Sequence, residues 1–199
     1  MHPHPAFRWH DRPAMRDFVR EVAFGALFAS TAKGPRVAHI PVTWDGDERV
    51  TFHLSRDNGI EPDLDGAAAL FVVHGPDRYV SPDWYGEGPA QVPTWNYVAV
   101  ELEGRVSALS HDALVAQIDR LAAEHEARLS PKPAWTRAKM DAERFDAMTR
   151  AIRGFAIDIT AWRGTRKVGQ TKSEAARRSA ADAIEELGDR EMARWMRDA

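Results

Sequence analysis

The chain has 199 residues, the length of one domain with a helical appendage. Lys+Arg 27 against Asp+Glu 30 leaves a formal net charge of −3, which argues against a broad basic face for nucleic acid. The lack of cysteine excludes disulfides, thiolate-zinc sites, iron–sulfur clusters and a catalytic thiol. No apolar run reaches the roughly 20 residues that span a bilayer. The opening MHPHPAFRWHDRP has no apolar signal-peptide core, so a soluble, cytoplasmic protein with no membrane partner is expected.

Asp11 to Val22 predicts an amphipathic helix. Asp11 stands as N-cap, Pro13 sits in the first turn, and Met15, Phe18, Val19 and Val22 recur at helical spacing, with Gly25 as the stop. The period then changes. Ala26–Thr31, Arg36–Thr43, Arg49–Leu54, Ala68–His74, Arg78–Ser81 and Asn96–Leu109 read as six short strands in an antiparallel meander that curls into a barrel. A helical insertion over about 111–153 follows. In it Asp112–Leu129 presents Leu114, Ile118, Leu121, His125 and Leu129 on one face, and Asp141–Arg153 turns Phe145, Met148 and Ile152 inward. Phe155, Ile157 and Ile159 alternate as a further strand. A C-terminal helix over about 173–198 starts at Ser173, meets a stop signal at Gly188, and ends in a charged tail anchored by Trp195. Most of the seven tryptophans are expected in core or interface positions. The reading is a single domain over residues 1–199.

Several familiar sites are absent: no P-loop, no H-E-x-x-H, no nucleophile elbow and no EF-hand loop. His39, His53 and His74 lie on predicted strands without carboxylate or thiolate companions at ligand spacing, so no metal site is assigned. Three stretches carry more information. The first is Ser55-Arg56-Asp57-Asn58, which presents a hydroxyl, a guanidinium and an amide where a strand ends. It suits a phosphate, and it equally suits a solvated turn. The second, Arg78–Val100, combines prolines, glycines and five aromatic residues in a loop that must pack on its own barrel, a planar ligand or a second subunit. The third, Lys167-Val168-Gly169-Gln170-Thr171-Lys172, leads into the Ser173 helix, where cations and amides at a helix N-terminus suit an anion.

These residues resemble the PaiB-like family of FMN-binding negative transcriptional regulators. Tyr79-Val80-Ser81-Pro82-Asp83-Trp84-Tyr85 followed by Val92-Pro93-Thr94-Trp95-Asn96-Tyr97 is similar to that family's most specific signature. Ala38-His39-Ile40-Pro41 and His53-Leu54-Ser55-Arg56-Asp57-Asn58 are similar to two further segments. The chain departs from the pattern at Gly59, where the family has proline, and at Gln170-Thr171-Lys172, where it has Gln-Asn-Arg. Replacing Asn and Arg by Thr and Lys removes planar donors. The resemblance implies an antiparallel six-stranded split β-barrel of the pyridoxamine-phosphate-oxidase type, mainly β and decorated by α-helices. It further implies a homodimer with FMN in the subunit interface. On that basis Ser55, Arg56 and Asn58 hold the FMN phosphate, and His39 and His53 line the cleft. Trp95 and Asn96 shape the cleft or the dimer contact, while Lys167 and Gln170 approach from the late loop. A hydrogen-bonded core role stays open for His39 and His53. The most cationic helix, Thr171–Glu186, mixes Lys172, Arg177 and Arg178 with Glu174, Asp182, Glu185 and Glu186, so direct DNA binding has weak support. A flavin-dependent oxidoreductase is the alternative function, with haem a less favoured guest.

Overall fold

A computed structural model describes residues 2–199. Its strands are β1 (Arg8–Trp9), β2 (Phe24–Thr31), β3 (Gly34–Pro41), β4 (Thr43–Trp44), β5 (Arg49–Ser55), β6 (Ala68–Val80), β7 (Thr94–Ala108) and β8 (Ile152–Lys167). Its helices are α1 (Arg12–Val22), α2 (His111–Ala127), α3 (Ala142–Arg150), α4 (Glu174–Glu186) and α5 (Arg190–Arg197). The strands form one sheet in the order β3-β2-β6-β7-β8-β5-β4, with β1 added to β8. β3 comes alongside β5 near the far end of that order, yet no pairing closes the sheet. The fold is therefore the expected split barrel with helices, and its strand count is eight rather than six.

The two-residue β1 and β4 and the late β8 add three strands to the six of the meander, and a merger within β6 removes one. Gly75-Pro76-Asp77 looks like a turn, but the chain stays extended there and β6 runs through it. The strand expected around Phe155–Ile159 is sixteen residues long, because its charged second half, Arg163–Lys167, stays extended and pairs with β1. The stop of α1 is also displaced from Gly25. Ala23 takes the left-handed turn (φ 54°), and its amide bonds the Val19 carbonyl at 2.8 Å. Gly25 instead lies within β2, where a Cβ would sit 2.4 Å from the Val72 carbonyl oxygen.

The chain packs as two compact units, and β6, β7 and β8 contribute residues to both. One unit comprises residues 17–73 and 102–162. Here β2 pairs with β3 from Phe24↔Pro41 to Thr31↔Gly34, and β5 pairs with β8 from Arg49↔Asp158 to Ser55↔Ile152. The opposed Phe52 and Phe155 stack with centroids 5.6 Å apart in a core that includes Leu27, Phe71, Leu102 and Ile157. α2 starts on Ser110, whose Oγ accepts the Ala113 amide. It reaches the barrel where Leu114 lies over Gly154, a position at which a Cβ would stand 3.1 Å from that leucine side chain. α3 starts on Asp141 and buries Phe145 and Thr149; Met148, expected inward, is 56% exposed.

The other unit comprises residues 1–16, 74–101 and 163–199. α4 packs on α5 and on the short helical turn Pro82–Tyr85. Gly188 (φ 92°) breaks what the sequence reads as one long terminal segment into these two helices. Arg177 is buried between them and donates from Nε to the Met196 carbonyl at 2.7 Å. Trp195 meets Trp9 edge-on with centroids 5.6 Å apart. Of the tryptophans only Trp44 is fully buried; Trp9, Trp84, Trp162 and Trp195 are half-buried, and Trp95 and Trp135 are exposed. Among the described residues no helix is long and apolar enough to cross a membrane.

Candidate functional site

β5 delivers the first cluster. Its residues alternate between faces, so His53 and Ser55 share one face at the end of the strand, roughly 7 Å apart along it. The backbone then turns. Asn58 N bonds Ser55 O at 3.0 Å, Ser55 Oγ accepts the Asp57 amide at 3.2 Å, and Asn58 Oδ1 accepts the Ile60 amide at 3.1 Å. These two side chains shape the turn, as Ser and Asn do in polar turns generally. Each keeps donor capacity, the Ser55 hydroxyl hydrogen and the Asn58 amide nitrogen.

Arg56 is placed from both ends. Its backbone amide bonds the Ala151 carbonyl and its Nε bonds the Arg150 carbonyl, each at 2.9 Å. The side chain is exposed. With Nε committed, the guanidinium is oriented and its two terminal nitrogens remain for a ligand, the arrangement that binds a carboxylate or phosphate in bidentate fashion. Gly59, where the family has proline, has open space around it.

His53 is half-buried, and its Nδ1 lies 2.9 Å from Oε1 of Gln117, a residue of α2 with no solvent exposure. His39 is exposed on β3 opposite Ala26 and lacks any such clamp. A groove of about 410 Å³ between α2 and residues 134–138 contains none of the residues singled out in the sequence.

The second cluster belongs to the other unit. Trp95 and Tyr79 stand edge-to-face with centroids 6.3 Å apart, 56% and 45% exposed. Asn96 is buried beside Tyr85, and its Nδ2 has no hydrogen-bond partner. Burial pushes the Tyr85 hydroxyl up from its ordinary pKa. Lys167 Nζ bonds Thr94 Oγ1 and, at 2.8 Å, the Trp95 carbonyl, so it braces the strand that carries Trp95. Burial holds its pKa below the usual lysine value. Gln170 is committed at both ends of its amide: Nε2 donates to Ala6 O and Arg166 O, and Oε1 accepts the Val168 amide at 2.9 Å.

The anion site expected ahead of α4 is filled by the chain itself. Glu87 accepts from Ser173 N at 3.3 Å and Ser173 Oγ at 3.1 Å, and lies 3.2 Å from Lys172. Lys172 also bonds Gln91 and sits 4.9 Å from the Tyr85 ring centroid. The lysine in place of the family's arginine thus tethers the loop 86–93. Gln117 and Glu87 were both missed in the sequence, where nothing near either residue announces a partner.

An unclosed antiparallel barrel decorated by helices defines a split-barrel class of protein. Residues 1–161 match the family described as "Putative FMN-binding domain", and the chain belongs to that FMN-binding, PaiB-like family. It is 26% identical over 162 residues to the Protease synthase and sporulation protein PAI 2 of Bacillus subtilis (strain 168), spanning 79% of this chain and 76% of the relative. Its fold is similar to the flavocytochrome Anf3 from Azotobacter vinelandii, with TM-score 0.60 and 16% identity over 84% of this chain and 72% of that one. It is similar as well to the FAD and haem binding protein from Mycobacterium smegmatis, with TM-score 0.55 and 19% identity over 80% and 73%.

Proposed function

We propose that this chain holds FMN by its phosphate at the Ser55–Asn58 turn and acts as a homodimeric flavin-dependent regulator of the PaiB type. The observation that carries the reading is Arg56, whose Nε is tied down while its terminal nitrogens are left for an anion. Ser55 and Asn58 add neutral donors beside it, so the donor set matches a phosphate monoester. His39 and His53, in the same unit, supply imidazole contacts to the rest of the cofactor. Bound FMN would contribute one- or two-electron redox chemistry, and the protein would contribute position and electrostatics. Lys167 and Gln170 act through the backbone they brace, the buried Asn96 shapes the strand beside them, and Trp95 provides the exposed aromatic surface of a dimer contact.

A flavin-dependent oxidoreductase is the second reading, favoured by how the cations of α4 are used. Lys172 pairs with Glu87, Arg178 with Glu174, and Arg177 is buried against Met196. None is left as a row of phosphate contacts for DNA, so regulation through this helix has little support. The visible spectrum of the purified protein, followed by titration with FMN, tests the cofactor. Saturable binding supports the proposal, and a protein that ignores FMN overturns it. A Soret band would point to haem instead. Once flavin is bound, reduction by NAD(P)H with reoxidation by an added acceptor would favour the enzyme, and a salt-sensitive DNA shift the regulator.

A further inference from the structure

Gln117 is the one strongly polar side chain that α2 buries fully, between Leu114 and the half-buried Ile118. Its Nε2 has no partner, and a buried amide left half-satisfied costs stability that a leucine or methionine would not. What the residue does is made by its other end, where Oε1 lies 2.9 Å from His53 Nδ1. A carbonyl oxygen can only accept, so the imidazole must carry its hydrogen on Nδ1. A ring that carries its one hydrogen on Nδ1 has a bare Nε2, and His53 is only half-buried, so part of its side chain stays open to solvent.

We propose that Gln117 is a positioning residue of the cofactor site: it locks His53 in the Nδ1–H tautomer and makes Nε2 a hydrogen-bond acceptor for a ligand hydroxyl. The inference rests on the phosphate reading of the Ser55–Asn58 turn. His53 shares a strand face with Ser55 at a spacing of roughly 7 Å. The part of FMN that lies one step from its phosphate is the hydroxylated ribityl chain, a row of O–H donors. Arg56 recognises the anion, and His53 selects for the polyol attached to it. Inorganic phosphate offers no such chain.

Two readouts test this, one of which needs no ligand. In ¹⁵N-histidine-labelled protein, the long-range ¹H–¹⁵N spectrum of His53 should show a protonated Nδ1 and an unprotonated Nε2. Gln117→Met, close in volume and unable to accept, should lose that signature and weaken FMN binding by about tenfold, the scale of one lost hydrogen bond. Its affinity for inorganic phosphate should stay at the wild-type level. An Nε2–H tautomer in the wild type would mean that the amide faces the other way, and would overturn the proposal. So would a Gln117→Met protein with unchanged tautomer and unchanged FMN affinity. A correct tautomer in a protein that binds phosphate but not FMN would overturn the ribityl contact. Failure to bind either ligand would overturn the phosphate reading while leaving the tautomer assignment standing.

Discussion

Glu87 and Lys172 stand 3.2 Å apart at the head of α4, and the same carboxylate accepts both the amide and the hydroxyl of Ser173. One residue of the loop 86–93 thereby caps a helix that begins 87 positions after it, at Glu174. The Lys172 bond, and behind it those of Ser173, hold the Glu87 carboxyl below the usual carboxylate range. A group whose folded pKa is depressed contributes stability that is fully present above its unfolded value. That contribution is lost as the pH falls through the folded value. Acidification through the carboxylate range should therefore release the loop, and Glu87→Gln should be insensitive to that change. Hydrogen exchange of residues 86–93 and 173–176, followed from neutral pH downward in both proteins, checks it.

Arg56→Ala should weaken FMN binding by about tenfold or more, because it removes the charged member of the phosphate set. The fold should survive. The backbone bond to Ala151 is untouched, and the lost Nε bond to Arg150 costs about 1 kcal/mol. Flavin fluorescence titration beside a chemical denaturation curve separates the two effects. A wild-type FMN affinity in the variant would remove Arg56 from the site.

The signature segments were legible in the sequence because they are local. Ser81 accepts the Asp83 amide, Ser55 and Asn58 close their own turn, and Ser110, Asp141 and Ser173 cap their helices within three residues. What was not legible is which partner a polar side chain spends itself on. Gln170 has the composition of a ligand-binding residue, yet its amide is bonded to Ala6 at the other end of the chain. Gln117 falls inside a hydrophobic stripe and looks like an error in it until β5 places His53 alongside. Gly75-Pro76 reads as punctuation, since residue preferences for turns are expressed locally and a long strand in a sheet can override them.

Glycine-to-alanine substitutions should separate close approach from backbone conformation. Gly25→Ala places a methyl 2.4 Å from the Val72 carbonyl oxygen and within 3 Å of the Phe71 ring, and should cost about 3 kcal/mol by overpacking. Gly34 has open space but a φ of +94°, so Gly34→Ala should cost about 1 kcal/mol through the left-handed backbone alone. Denaturant midpoints for the two variants give the comparison.

Val92, Trp95 and Tyr79 are 76%, 56% and 45% exposed, an unusual amount of apolar surface for an isolated subunit. Light scattering at micromolar concentration should give twice the 22.3 kDa chain mass. Trp95→Lys should shift it toward the single-chain value with helix and strand content unchanged. A wild-type mass equal to one chain would dismiss the homodimer.

The unit made of residues 1–16, 74–101 and 163–199 has an order of assembly written into it. Trp9 waits for Gly164 and Trp195, Glu87 for Ser173, and Ala6 for Gln170. Contacts this distant along the chain close slowly, since the entropy of the intervening loop is lost before any bond repays it. During synthesis the other unit has all of its residues once Trp162 has emerged, whereas the aromatic loop stays unsheathed until the last helices follow. A ribosome stalled in that interval would display Trp84 and Tyr85 to the chaperones, and the closing stretch of the message governs how long they remain there.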